Sequence, residues 1–199
     1  MPVFVLCPSN DPAWSYHTKA LLPYHGTSVV DHTLAQFPGA VLVSNDDYVL
    51  KDRYPSFKIK RATCLAGMML MLRPAWRSEN LLVLGDCIYS KRDTRMLWSN
   101  MTTYPLAFWG NEYGDNKNPL GTIQAISWHA PNFQLDRGLR IAAHEYEIKR
   151  GHGSLMDIHH AVFDFKPGTH IIASERHGTL NDDVLTWDDP EDYYSWTLT

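Results

Sequence analysis

Three stretches of the chain are apolar almost without interruption: Val3 to Cys7, Ala40 to Ser44 and Leu81 to Gly85. Runs of this length, with no polar alternation, suit strands buried on both faces of a sheet. Between the first two lies Ser28 to Phe37. There Val30, Leu34 and Phe37 supply one apolar helical face, and Asp31 stands three residues after Ser28, as in a capping box. Pro38-Gly39 stops that helix. Ala62 to Leu72 (ATCLAGMMLML) has helical length and helix-forming residues, and Arg73-Pro74 ends it. Strand, helix, strand, helix, strand predicts an α/β protein with a largely parallel sheet.

Beyond Thr103 the pattern is less regular. Ile123 to Trp128, Leu139 to Ala143 and Ala161 to Phe165 are expected as shorter strands. The alternation of Glu145 and Glu147 with Tyr146 and Ile148 is expected as a strand with one solvated face. Near the end, Asp189 as N-cap, Pro190 at the first helical position and Glu191 and Asp192 in the first turn predict a final helix. No internal repeat, low-complexity tract or linker interrupts the chain, so residues 1–199 are expected to form one domain.

Composition narrows the function. Hydrophobic residues make up 44% of the 199 residues and charged ones 20%, which excludes intrinsic disorder. Lys and Arg number 18 against 22 Asp and Glu, a net charge of −4 that leaves no global electrostatic footprint for duplex DNA. The longest apolar stretch, Ala66 to Leu72, is far short of the ~20 residues that span a bilayer. A secretory leader is not expected, since the first lysine is Lys19 and Val3 to Cys7 is too short for its apolar core. Cys7, Cys64 and Cys87 stand singly, so neither a disulfide framework nor a structural zinc site is indicated. A cytoplasmic location fits these features best.

In an open α/β sheet, ligands bind beyond the carboxyl ends of the strands. The first strand leads into a long segment, Pro8 to Pro23, that carries Trp14, Tyr16, His17 and Lys19. The third ends at Gly85-Asp86. An acid fixed there could coordinate Mg²⁺ or Mn²⁺ through oxygen, or it could cap the turn or helix that follows. His152, His159-His160 and Asp157 form no zinc pattern: adjacent histidines on a strand would point to opposite faces. Asp182-Asp183 could supplement a metal site or cap a turn.

Residues 18–34, TKALLPYHGTSVVDHTL, resemble the segment of sugar-phosphate nucleotidyltransferases that runs P-K-x-L-L-P-v-x-G-K-P-l-i-x-h-t-L. Residues 66–90, from Ala-Gly-Met-Met-Leu-Met-Leu to Leu-Leu-Val-Leu-Gly-Asp-Cys-Ile-Tyr-Ser, resemble that family's A-G-A-L-l-x-A-l … f-l-v-l-n-G-D-v-l-f block. Residues 187–193, WDDPEDY, resemble its closing D-i-D-T-P-E-D-y. The three blocks come in the family's order, while residues 103–180 show no residue-by-residue match. The resemblance implies a Rossmann-like nucleotide-diphospho-sugar transferase fold, a mostly parallel central sheet flanked by helices. It further implies that Asp86 and Asp188 jointly hold Mg²⁺ (or Mn²⁺), and that Lys19 contacts phosphate. The motif glycines Gly67 and Gly85 join Trp14, Tyr16 and His17 as candidate substrate contacts. The implied partners are a nucleotide or nucleotide-sugar and a sugar-type small molecule.

One departure matters. The family's first strand is followed by a loop G-x-G-t-R-m, whose backbone donors and arginine hold the nucleotide phosphates. Residues 6–18 here contain neither glycine nor arginine, and Cys64-Leu65 replaces the base-contacting G-T. Without glycine the backbone approaches phosphates less closely. Three functions therefore compete. One is nucleotidyl transfer to a sugar 1-phosphate. Another is glycosyl transfer from a finished nucleotide-sugar, and the third is a non-catalytic binding module.

Overall fold

The computed structural model describes residues 2–7, 19–45, 49, 54–59, 62–100, 102–111, 122–164 and 177–180. Strand β1 (Val3–Cys7) is followed, from Lys19–Leu21, by a 3-10 turn, and then by the short strands β2 (Pro23–Tyr24) and β3 (Thr27–Ser28). Helix α1 (Val29–Gln36), β4 (Val41–Ser44), β5 (Ser56–Lys58), α2 (Leu65–Met71), β6 (Glu79–Leu84) and α3 (Lys91–Asn100) come next. The described chain continues with β7 (Leu106–Asn111), β8 (Thr122–His129), α4 (Phe133–Glu147), α5 (Leu155–Val162) and β9 (His177–Thr179).

Among the described residues seven strands make one sheet in the order β5-β4-β1-β6-β8-β7-β9, and of these β8 alone runs against the rest. β1 takes an interior place because all five of its residues are apolar and buried. Its neighbours β4 and β6 pair with it in parallel, Phe4 facing Val41 on one side and Leu82 on the other. The fold is the expected one, a mostly parallel α/β sheet.

Alternate residues of these strands feed two cores. On one face Phe4, Leu6, Val43 and Leu82 meet Met68 and Met69 of α2, Leu135 and Leu139 of α4, and Ile158 of α5. On the other, Val3, Val5, Leu42 and Val83 meet Val30 and Leu34 of α1 and Leu97 of α3. Each such side chain withdrawn from water contributes ~1.5–3 kcal/mol, so burial on both faces is what holds the sheet between its helices.

Helix α1 starts where Ser28 accepts the Asp31 backbone N–H, and it stops before Gly39, whose φ of 79° a side chain would resist. Helix α2 starts later than the apolar run that predicts it, because Cys64 caps it by accepting the Gly67 N–H at 3.4 Å.

Three expectations fail on the second half. Leu139 to Ala143, and Glu145 with Glu147, belong to helix α4 rather than to strands. The pattern that decides extends beyond those windows: Leu135, Leu139 and Ala142 are buried at helical spacing, and Asn132 caps the helix by accepting the Leu135 N–H. Ala161 and Val162 close helix α5, not a strand, and residue 165 of that expected strand lies outside the described residues. A full capping box of Ser154 and Asp157 starts α5 and places His159-His160 on a helix, with His159 fully buried. Gly138 lets α4 and α5 touch, since a Cβ there would lie 2.5 Å from Val162.

Candidate active site

The carboxyl edge of the parallel strands is defined by where β1 and β6 end together. Leu6 and Leu84 are in register, and one residue on, the Gly85 N–H donates to the Leu6 carbonyl at 2.8 Å. A Cβ on Gly85 would stand 2.2 Å from the Cys7 sulfur and 2.8 Å from Val5. Glycine is thus what lets β1 close against the end of β6. Gly85, expected as a substrate contact, has its open side filled by β1. Asp86 follows it, half-buried, at the mouth of the sheet.

Three side chains pin the loop that carries Asp86, one from the loop itself and two from helix α1. Tyr89, 1% exposed, folds back so that its hydroxyl accepts the Leu84 N–H at 3.1 Å and donates to the Gln124 carbonyl at 2.9 Å. Thr33 of α1 donates from Oγ1 to the Cys87 carbonyl at 2.8 Å. One turn further along the helix, Gln36 donates from Nε2 to the Tyr89 carbonyl. The backbone on both sides of Asp86 is therefore bonded to buried groups, which restricts where its carboxylate can point. Ser90 and Asp93 then spend their polar groups on the start of α3, the Ser90 hydroxyl donating to Asp93 at 2.6 Å and accepting its N–H at 3.0 Å.

Lys19 reaches the same neighbourhood. It opens the 3-10 turn, where its carbonyl accepts the Leu22 N–H at 3.1 Å, and the Leu22 carbonyl in turn accepts the N–H of Val29, the first residue of α1. Helix α1 accordingly braces both the Lys19 turn and the Asp86 loop. The two charges meet at Cys87: burial pushes its thiol well above 9.0, Asp86 pushes it further up, and Lys19 pulls it down. The Cys87 thiol donates to Asp86 Oδ1 at 3.7 Å. Cys7 and Tyr89 are likewise held protonated, first by burial, with the Asp86 charge adding to it. Lys19 and Asp86 thus both act on the Cys87 thiol, with opposite signs.

Gly67 lies in the first turn of α2, where a Cβ would make only ordinary 3.6 Å contacts with Ala62 and Cys64. Trp14, Tyr16, His17 and Asp188 fall outside the described residues, as do Asp182-Asp183 and the final helix expected from Asp189. Among the described residues no three His, Cys, Asp or Glu side chains cluster for a metal. Asp86 offers oxygen, the donor type a hard cation takes. Among the described residues no helix is long and apolar enough to cross a membrane. Thr33 and Tyr89 lie within the resembling blocks and Gln36 lies outside them, but no motif states the bonds they make. Only the tertiary fold reveals what they hold.

No family model and no curated sequence matches the chain. Solved structures do match. Rv0371c from Mycobacterium tuberculosis H37Rv superposes with a TM-score of 0.60 at 16% identity, over 100% of this chain and 97% of that one. The inositol-1-phosphate CTP transferase from T. maritima gives 0.60 at 13% identity, over 96% and 90%. CMP:2-keto-3-deoxy-manno-octonic acid synthetase, complexed with CTP, gives 0.58 at 9% identity, over 98% and 96%. At these identities what is shared is the fold, and it is the fold of nucleotidyltransferases.

Proposed function

We propose that the chain is a nucleotidyltransferase that joins a sugar 1-phosphate to a nucleoside triphosphate. The observation that carries this is Asp86, on a loop bonded to Thr33 and Tyr89 at the carboxyl edge of a sheet shared with nucleotidyltransferases, with Lys19 and Asp86 both acting on the Cys87 thiol. In the reaction, a phosphate oxygen of the sugar 1-phosphate attacks the α-phosphorus. The bond from that phosphorus to the bridging oxygen of the β-phosphate breaks, and pyrophosphate leaves. Such transfers need positioning and charge stabilisation more than covalent help. Lys19 supplies a positive charge to the phosphates, and the bonded loop holds Asp86 where it is needed. Asp86 and Asp188 would hold Mg²⁺ or Mn²⁺, which when bound neutralises phosphate charge as a Lewis acid. Trp14, Tyr16 and His17 would stack against the base, and Gly67 would let the nucleotide approach the start of α2.

The experiment is incubation with each nucleoside triphosphate and a panel of sugar 1-phosphates in Mg²⁺ or Mn²⁺, scored for pyrophosphate. Release with at least one pair is expected. The lack of glycine and arginine between residues 6 and 18 favours the rival, a glycosyltransferase. Saturable binding of an intact nucleotide-sugar, with no pyrophosphate from any pair, would promote that rival.

A further inference from the structure

The amino edge of the sheet carries a cleft that the proposed reaction does not use. β6 and β8 are antiparallel neighbours with Glu79 opposite His129, so the segment entering β6 and the segment leaving β8 run side by side. The Ala130 N–H donating to the Ser78 carbonyl at 2.9 Å ties them. Between them lies a cavity of about 580 Å³, within the ~300–1,000 Å³ usual for small-molecule sites. Glu79 and Leu84 are separated by roughly 17 Å at ~3.3 Å per residue, so a ligand here is clear of Asp86.

Two kinds of group line this cleft. Arg73 and Arg77 are held in fixed directions by contacts that leave other guanidinium donors over. Arg73 Nε lies 3.1 Å from Asp136, and Arg77 Nη1 donates to the Trp76 carbonyl at 3.1 Å. Asp136 is shared with Arg140 at 3.0 Å, and the cleft lining itself sets two guanidinium groups, Arg73 and Arg77, against the one carboxylate of Asp136. The second kind is aromatic. Phe133 is 84% exposed at the first position of α4, and Trp76 packs edge-on against the buried Trp128 at 5.1 Å. A bare phenylalanine in water is a site with apolar area still to bury.

We infer that this cleft binds a small ligand in which an anionic group adjoins a flat ring, the anion on Arg73 and Arg77 and the ring on Phe133. Planar guanidinium groups suit a phosphate or a carboxylate equally, so a nucleoside monophosphate and an aromatic acid share the chemistry. Binding here is independent of the transfer reaction proposed above, because no residue is common to the two sites.

The test is calorimetric titration of the whole chain with phenyl phosphate, which holds both features and little else. Saturable binding is expected. It should weaken at least tenfold in Arg77→Ala and in Phe133→Ser, both surface changes, and persist in Asp86→Asn. Titrating cytidine monophosphate and benzoate into Asp86→Asn then separates the two sources, and tighter binding of either supports the site. No saturable binding of phenyl phosphate overturns it. So does binding unchanged by both surface substitutions, or binding abolished by Asp86→Asn.

Discussion

At its carboxyl end β6 delivers Asp86 into a loop bonded on both sides to Tyr89, Thr33 and the end of β1. At its amino end the same strand opens onto a cleft of about 580 Å³ rimmed by arginines and the exposed Phe133. Size and chemistry point in opposite directions. The roomy end has long, solvated side chains, whereas the end proposed as reactive carries Asp86 on backbone bonded on both sides. Preorganised charge is what catalysis of group transfer requires, and volume alone supplies none of it. The two ends therefore predict different responses to substitution.

The sharpest contrast is steric. Gly85→Ala would drive a methyl group into the Cys7 sulfur, 2.2 Å away, and should destabilise the chain by ~1–3 kcal/mol, as overpacked cores do. Gly67→Ala meets only 3.6 Å contacts on a helix and should be neutral or stabilise by up to about 1 kcal/mol. Urea unfolding of the two variants checks both signs. Lys19→Ala should lower turnover by ~10²-fold, through lost stabilisation of transition-state charge, with little change in melting temperature. Steady-state pyrophosphate release measures it.

Tyr89→Phe removes one hydroxyl and strands the Leu84 N–H and the Gln124 carbonyl, a loss of ~1–3 kcal/mol. It should also lower turnover more than Phe133→Ser does. The buried thiols and phenol set a pH limit. Cys7, Cys87 and Tyr89 keep their protons in the folded chain above the ordinary values of 9.0, 9.0 and 10.0. The unfolded chain releases those protons first, so this contribution is complete below about pH 9 and falls as pH rises further. Urea midpoints at pH 8 and pH 10 should differ in that direction. The smallest effect belongs to the amino end: Phe133→Ser, 84% exposed, should shift stability by less than about 0.5 kcal/mol.

The parts of this molecule that show in the sequence are those in which local pattern and tertiary role coincide. β1 and the central parts of β4 and β6 are buried on both faces, so each shows as an apolar run, and Ser28 caps α1 through Asp31, three residues on. Helix α4 hides because the window Leu139 to Ala143 covers little more than one helical turn, and because Gly138 and Ala142 make part of its buried stripe small. Helix α3 hides for a different reason. Four of its first five residues are charged, and its buried groups are Asp93 and Leu97. At the site, Asp86 is legible because it follows a buried strand. Thr33 and Gln36 are not, since each resembles any polar residue on a helix until it meets a carbonyl more than fifty positions away.

Asp86→Asn, assayed for turnover and for melting temperature on the same preparation, bears most directly on the claim that this loop is a reactive centre. The bonds that hold the loop come from Gly85, Cys87 and Tyr89 and survive the substitution, while the charge disappears. Pyrophosphate release should fall by at least ~10³-fold while the melting temperature moves by no more than about 2 °C. A variant that retains turnover, or one that loses its fold along with it, would contradict the assignment and leave Asp86 as a turn residue.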